Sequence, residues 1–296
     1  MTRATATAKD EARQPAEPAE TRLFVEGDVL YAAMLASIRS ARTSICMESY
    51  IFAGDEVGQS FAEALAERAQ VGVDVRLHLD AAGAHGGLSR PLLRMLRQQG
   101  VRVKWFHRWS WRHPTRYNRR NHRKLVVIDD RVAYVGGFNI HRASSRRLYG
   151  AKRWRDSHVA ISGPLALDAA KLFDAFWCGH RLAMPAKGGV ATLVVNDTGD
   201  CRRYIRCLYS EAIATARHRI HLTTPYFVPD LLMQQQLMRA ARRGVDVRLL
   251  VPSRSDVPVT RWAAHAFYAV LIDAGVSIFE YLPRMLHAKT MTIDGS

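Results

Sequence analysis

A histidine and a lysine stand two residues apart at two places in the chain, in the segments "HRKLVVID" and "HAKTMTID". On a β-strand, residues i and i+2 face the same side. We therefore predict that His122 and Lys124 project together from one strand, and that His287 and Lys289 project together from another. Two imidazoles and two ammonium groups at equivalent points of the chain predict one shared site.

Such a site suits displacement at a phosphodiester. The lysines would neutralise the non-bridging oxygens. One neutral histidine would attack phosphorus and form a phosphohistidine. The other histidine, protonated, would give a proton to the leaving oxygen and later take one from an incoming alcohol or water. The two histidines then need opposite protonation states, so we expect their surroundings to push their pKa values apart.

An aspartate follows each histidine by seven residues, Asp129 in the first copy and Asp294 in the second. A regular strand would turn a residue at this odd spacing to the opposite face. These aspartates complete the candidate catalytic set, and we expect them at a strand end in a supporting ion pair rather than on the substrate.

The two His-x-Lys pairs belong to a longer internal repeat. The segment "ARTSICMESYIF" (41–52) is matched by "ARHRIHLTTPYF" (216–227), and "GVDVRLHLD" (72–80) is matched by "GVDVRLLVP" (244–252). Helical patterns alternate with short β-rich strands in each half. This duplication predicts two α/β domains related by a pseudo-twofold axis, each with a mixed, largely parallel sheet and helices on both faces.

The predicted organisation comprises a disordered tail at 1–20, a first domain at 21–182, a linker at 183–190 and a second domain at 191–296. A formal net charge of +16 predicts a polyanionic partner, either nucleic acid or an anionic membrane. We find no apolar run long enough for a transmembrane helix and no signal peptide. The four cysteines form neither a disulfide framework nor a C-x-x-C metal pair, which is typical of reduced thiols in a cytosolic protein.

Over residues 22–296 the sequence resembles the phospholipase D superfamily, and within it the bacterial cardiolipin synthase branch in the form without a transmembrane anchor. The resemblance is carried by "HRKLVVIDDRVAYVGGFN", "WRDSHVAISGP", "TPYFVPD" and "HAKTMTIDG". It implies duplicated phospholipase D-like domains that work without metal or cofactor. The chain ends where the resemblance places a further Gly-Ser-x-Asn segment, an acidic support for the second histidine and a closing helix, so we expect the second domain to be incomplete.

The resemblance also implies roles for particular residues. His122 is the expected nucleophile and His287 the expected acid and base. Asn139, with Gly137 beside it, would bind phosphate oxygens. Asp156 would orient the first histidine, because a carboxylate on the far imidazole nitrogen fixes the tautomer.

The segment 104–124, "KWFHRWSWRHPTRYNRRNHRK", combines basic and aromatic residues. It suits an interfacial patch with tryptophans at headgroup level and arginines on anionic lipid. It also suits single-stranded nucleic acid, and a plain solvated basic loop is the third interpretation. The membrane-surface candidates are Trp105, Trp109, Trp111, Arg112, Arg116, Arg119 and Arg120.

Together these features predict a phosphatidyltransferase that acts through a phosphohistidine, with cardiolipin synthesis from phosphatidylglycerol as the favoured reaction. The alternatives are a hydrolase or nuclease of the same superfamily, and an inactive truncated remnant. The expected partners are phosphatidylglycerol and an anionic membrane, with the protein peripheral on the cytoplasmic face of the inner membrane. The sequence leaves open the choice between alcohol and water as acceptor, the headgroup and acyl specificity, and the oligomeric state.

Overall fold

A computed structural model describes residues 20–84, 87–107, 120–180, 191–196 and 198–295. The predicted tail up to residue 19, the predicted linker and most of the basic aromatic segment lie outside these residues. The strands are β1 (Thr21–Phe24), β2 (Ser44–Ser49), β3 (Asp74–Asp80), β4 (Arg102–Phe106), β5 (Leu125–Ile128), β6 (Val132–Gly136), β7 (His158–Ser162), β8 (Arg219–Thr223), β9 (Asp246–Pro252), β10 (Ser277–Tyr281) and β11 (Thr290–Ile293). The helices are α1 (Gly27–Ser40), α2 (Glu56–Gln70), α3 (Arg90–Gln98), α4 (Arg146–Tyr149), α5 (Pro164–Cys178), α6 (Gly199–Thr215), α7 (Leu231–Arg242) and α8 (Pro258–Asp273).

The strands form two sheets, and we call each sheet with its helices a unit. The first unit has seven strands in the order β1-β7-β6-β5-β2-β3-β4, and the second has four in the order β10-β9-β8-β11. Among the named strands of the described residues, the parallel pairs are those within β2-β3-β4 and β8-β9-β10, whose strands are joined by helices. The remaining strand pairs are antiparallel. The sheets are therefore mixed, and parallel pairing is less extensive than the sequence pattern predicted, because β5 and β6 form a tight hairpin.

The first sheet is covered on both faces. Strand β5 shows this by alternation, because Val126 and Ile128 lie in a cluster with α1, α2 and α3, whereas Leu125 and Val127 lie in a second cluster with α5. Side chains alternate between the two faces of a strand, so a strand buried on both faces is apolar throughout. The run "LVVI" is such a strand.

The second sheet shares the helix–strand order of β2, α2, β3, α3 and β4. Gly72 and Gly244 end the corresponding helices α2 and α7, with φ of 89° and 88°, a conformation that favours glycine. Helices α6, α7 and α8 contribute to a single apolar cluster with one face of the sheet. On the opposite face the side chain of Phe279 is 50% exposed, and within the described residues no second cluster covers it.

Candidate active site

The two histidines lie on facing edges of the two units. His122 comes three residues before β5 and His287 three residues before β11, so each lies in the extended segment before its strand rather than on the strand itself. Their ring centres are 6.4 Å apart. A phosphodiester has room to contact both rings at this separation.

Each lysine lies against its own histidine. Lys124 Nζ donates to the His122 carbonyl oxygen at 2.8 Å and lies 3.1 Å from Nδ1 of the ring. Lys289 Nζ donates to the His287 carbonyl oxygen at 2.6 Å and lies 3.1 Å from Nε2. The structure therefore brings both His-x-Lys pairs together as four convergent polar groups.

The ammonium groups and partial burial set the protonation of this cluster. Burial, followed by the charges of Lys124 and Lys289, lowers the pKa of His122 to about 3. Burial and the neighbouring Lys289 lower the pKa of Lys124 to about 7, and burial lowers the pKa of Lys289 to about 8. His122 is thus neutral at neutral pH, and part of its residue surface remains open to solvent. A neutral, accessible imidazole is what a nucleophile requires.

The carboxylate predicted for the first histidine contacts the second one instead. Asp156 Oδ2 lies 2.6 Å from Nδ1 of His287, and both residues are buried, at 2% and 3% exposure. The expectation that Asp156 orients His122 is wrong, and so is the expectation that His287 lacks acidic support. The reason is the backbone at the seam between the units, where Arg155 N donates to Met285 O at 2.8 Å and His287 N donates to Arg155 O at 2.7 Å.

Gly137 has a packing role in this arrangement. A Cβ added at Gly137 would overlap the Asp156 carboxylate, and the Gly137 N–H donates to the Ser157 carbonyl oxygen at 2.8 Å. Only a residue without a side chain lets the carboxylate lie this close. Its predicted role in binding phosphate is not what the described contacts show.

Asn139 is buried beneath the site. Its Oδ1 accepts from the Ile51 N–H at 3.2 Å, and its backbone oxygen accepts from the Tyr31 hydroxyl at 2.6 Å. These contacts fix the segment that carries Tyr50, whose ring centre is 4.3 Å from that of His122. The binding of phosphate oxygens by Asn139 stays a prediction.

The aspartates of the two motifs are structural. Asp129 accepts from the N–H groups of Arg42, Thr43 and Ser44 at 2.7–2.9 Å, at the start of β2. Asp294 accepts in the same way from three N–H groups at the start of β8. Both adopt positive φ. Four strand residues lie between Lys124 and Asp129, which places the two residues about 16 Å apart along the strand. The predicted catalytic role and the predicted ion pair are therefore wrong for both aspartates.

Two buried carboxylates that the motif analysis missed hold the segment before His122. Glu48 Oε2 accepts from Asn121 Nδ2 at 2.7 Å and lies 3.3 Å from Arg123 Nε. Asp80 Oδ2 accepts from the Asn121 N–H at 2.8 Å. Both acidic residues lie near the buried ends of their strands, and a buried charge needs a partner. That anomaly is the sequence signal that could have found them.

The membrane-surface candidates divide into two groups. Trp105 packs against the core of the first unit, and Arg120 Nη1 lies 3.4 Å from the buried Asp80. Neither side chain is available as an independent surface anchor, in contrast to the expectation from sequence. The other candidates, Trp109, Trp111, Arg112, Arg116 and Arg119, lie outside the described residues.

An ion-pair cluster fastens the seam near His287. Glu26, at the end of β1, lies 2.6 Å from Arg153 Nε and 2.8 Å from Arg284 Nη2 of the second unit. The hydrogen bond from Arg153, with that from Arg284, outweighs burial and lowers the pKa of Glu26 to about 2. Both arginine side chains are largely buried, at 15% and 10% exposure. This cluster fixes the segment three residues before His287.

Aromatic rings also lie around His287. The ring centres of Trp154 and Tyr226 lie 5.3 Å and 6.1 Å from that of His287. The Tyr226 hydroxyl donates to Asp256 at 2.8 Å. Within the described ranges, no three His, Cys, Asp or Glu side chains are grouped so as to hold a metal ion.

The family of the chain follows from its sequence match. The family described as "Cardiolipin synthase, PLD-like domain" matches residues 34–177 and 209–296, which include both His-x-Lys pairs. The chain belongs to this family. Its two matched segments correspond to the two units of the fold.

Named relatives in this family are cardiolipin synthases. The chain is 35% identical over 286 residues to "Cardiolipin synthase A" of Pseudomonas fluorescens (strain SBW25), covering 93% of this chain and 59% of that protein. It is 36% identical over 284 residues to "Cardiolipin synthase A" of Pseudomonas aeruginosa (strain LESB58), covering 92% of this chain and 58% of that protein. The chain thus spans less than two thirds of the length of these relatives.

Solved structures share the fold at low sequence identity. The phosphatidylserine synthase of Haemophilus influenzae Rd KW20 superposes with a TM-score of 0.64 at 13% identity, covering 93% of this chain and 76% of that one. The polyphosphate kinase of Porphyromonas gingivalis gives a TM-score of 0.57 at 17% identity, covering 88% of this chain and 40% of that one. Within the described residues of this chain, no helix is both long and apolar enough to span a bilayer.

Proposed function

We propose that this protein is a phosphatidyltransferase that makes cardiolipin from phosphatidylglycerol through a phosphohistidine intermediate. The observation that carries the proposal is the pair of imidazoles across the seam, 6.4 Å apart, each beside an ammonium group and His287 also against a carboxylate. The relatives named cardiolipin synthase A support the choice of reaction. The protein would act at the cytoplasmic surface of the inner membrane, where phosphatidylglycerol supplies both donor and acceptor.

In the first step, the ammonium groups of Lys124 and Lys289 bind the non-bridging phosphate oxygens. A ring nitrogen of the neutral His122 attacks phosphorus, forming a P–N bond as the P–O bond to glycerol breaks. His287 gives its proton to the departing glycerol oxygen. Asp156 holds His287 in one orientation and interacts favourably with its protonated form.

In the second step, the hydroxyl of another phosphatidylglycerol enters. His287, now neutral, takes the hydroxyl proton while the oxygen attacks phosphorus and the P–N bond breaks. The products are cardiolipin and free His122, and His287 again carries a proton. Water in place of the alcohol would give phosphatidic acid, so the ratio of these two products separates a synthase from a hydrolase.

The experiment is to trap the intermediate in the whole protein with phosphate-labelled phosphatidyl-p-nitrophenol. This leaving group is acidic and departs without a proton, so His287→Ala should accumulate label on His122. His122→Ala should accumulate none, and His180→Ala, which alters an exposed histidine at the end of α5, should behave as wild type. Label on His287 in the His122→Ala protein would reverse the assignment. Cardiolipin and phosphatidic acid are measured in parallel with phosphatidylglycerol as substrate.

A further inference from the structure

Exposed apolar side chains gather at the edge of the second unit that carries His287. The parallel strands β8, β9 and β10 all end at this edge, so the residues that follow them surround the site, as is usual in α/β sheets. Six of these residues are apolar and between 38% and 72% exposed: Val228, Leu231, Val257, Val259, Trp262 and Leu282. Leu231 begins α7, and Val257 and Val259 lie at the start of α8.

The first unit adds to the same edge. The end of strand β1 lies at this edge, as shown by the ion pair between Glu26, two residues after the strand, and Arg284 of the second unit. Val25 and Val29 flank Glu26 and are 37% and 52% exposed. Apolar side chains of both units therefore lie at the edge where the two histidines meet, and we call the solvent-exposed side of His122 at this edge the mouth of the site. Scattered apolar residues are ordinary on protein surfaces, but a grouping around one site marks an interaction surface.

Cations accompany these apolar side chains. Arg146 and Arg147 are exposed, and their N–H groups donate to Asp28, next to Val29, at 2.8 Å and 3.1 Å. Arg254 follows β9 at the same edge and is also exposed. The edge thus carries exposed arginines among its apolar side chains, together with the exposed Asp230 and Asp256, on a chain of net charge +16.

We propose that this edge is the surface on which the protein docks to an anionic lipid bilayer, with Val259, Trp262 and Leu282 entering the interface. The inference rests on the proposed function and deepens it by assigning the docking surface to this edge, formed mainly by the second unit, rather than to the basic aromatic segment alone. Aliphatic side chains and a tryptophan enter the boundary between headgroups and acyl chains, while arginines bind the anionic headgroups.

The chemistry of the edge selects this partner among others. Single-stranded nucleic acid binds through stacking on aromatic rings, whereas five of the six exposed side chains of the second unit at this edge are aliphatic. A second copy of the chain on this surface would cover the mouth of the site. A bilayer instead presents its phosphodiesters at the mouth, so substrate reaches the histidines without leaving the headgroup layer.

The test compares two double variants that remove equivalent side chains. Val259→Ser with Leu282→Ser alters the proposed surface. Val270→Ser with Ile272→Ser alters the far end of α8, where those residues are 44% and 55% exposed. Binding to phosphatidylglycerol vesicles is measured by sedimentation at low salt, and turnover is measured on a short-chain phosphodiester that is monomeric in water.

We expect the first variant to bind vesicles about tenfold more weakly than wild type and the second to bind as wild type. Both should keep wild-type turnover of the soluble phosphodiester and wild-type thermal unfolding. Equal vesicle binding by the two variants, or loss of soluble turnover in the first, would overturn the docking surface. The proposal would also be overturned if wild type bound single-stranded DNA tightly and did not bind vesicles. Failure of the proposed function would give a different result, because wild type would then turn over neither phosphatidylglycerol in vesicles nor the soluble phosphodiester.

Discussion

The carboxylate of Asp156 belongs to the first unit, and the imidazole it holds, that of His287, belongs to the second, with 2.6 Å between Oδ2 and Nδ1. Both side chains are buried, so the pair has little contact with water that could compensate for a lost partner. The seam between the units therefore carries part of the geometry of the candidate site.

Replacing Asp156 by Asn should reduce turnover by about 10²–10⁴-fold with little change in KM, because the imidazole loses the partner that fixes its tautomer. The measurement is steady-state turnover of a soluble phosphodiester by the whole protein. Asp168→Asn, on the exposed face of α5, is the matched control and should leave turnover unchanged. An unaltered rate in Asp156→Asn would show that His287 needs no carboxylate.

Gly137→Ala should reproduce the Asp156 defect although it changes no polar group. The added Cβ would overlap the carboxylate, which must then move away from His287. We expect a loss of turnover close to that of Asp156→Asn and a double variant hardly worse than either single one, because both act on the same contact. Gly199→Ala, where a Cβ meets nothing within 4 Å, controls for glycine replacement. Additive losses in the double variant would contradict a shared cause.

Asp129→Ala should affect stability rather than chemistry. Three backbone N–H groups at the start of β2 would lose their acceptor, which costs about 1–3 kcal/mol in the free energy of unfolding. Burial raises the pKa of Asp129, but these N–H groups outweigh it, so its pKa lies below the ordinary value of 3.8. The stability difference from wild type should therefore be full above pH 3.8 and shrink as the pH falls through the lowered value. Urea unfolding measures it, and a loss of turnover in folded Asp129→Ala would restore the catalytic role.

Turnover at low substrate should fall as the pH rises from about 7 to about 8, because Lys124 and Lys289 lose their charges over this range. The ammonium form binds phosphate, so the loss occurs on the alkaline side. Bound phosphate stabilises the ammonium form, and kcat should therefore fall at higher pH than kcat/KM does. Lys124→Arg keeps its charge throughout and should lose part of the alkaline decline in kcat/KM. A decline that is identical in this variant would assign it to another group.

The sequence predicted the convergence of the two His-x-Lys pairs because duplication places equivalent residues at equivalent edges of two similar sheets. It also predicted the mixed α/β fold, since apolar periodicity distinguishes helices from strands. The side-chain contacts between the two units could not be predicted in this way. Nothing in the spacing around Asp156 indicates which histidine it contacts, because that depends on the hydrogen bonds at the seam between Arg155 and the 285–287 segment.

The aspartates of the motifs show the opposite limit. Their odd spacing correctly removed Asp129 and Asp294 from the face of the histidines, yet an ion pair was expected where backbone N–H groups are bound. The spacing of residues along a strand predicts only which face a side chain occupies. Which backbone N–H groups a carboxylate can reach depends on the conformation of the turn that follows the strand. The positive φ of both aspartates belongs to that turn.

The seam also limits how this protein can move. Glu26 and Arg284 join the units on one side of His287, and the backbone bond from His287 N to Arg155 O joins them at the residue itself. A hinge motion between the units would separate His287 from Asp156 and break both of these links. An opening of the site that keeps these contacts must therefore come from the loops around it rather than from rotation of one unit against the other.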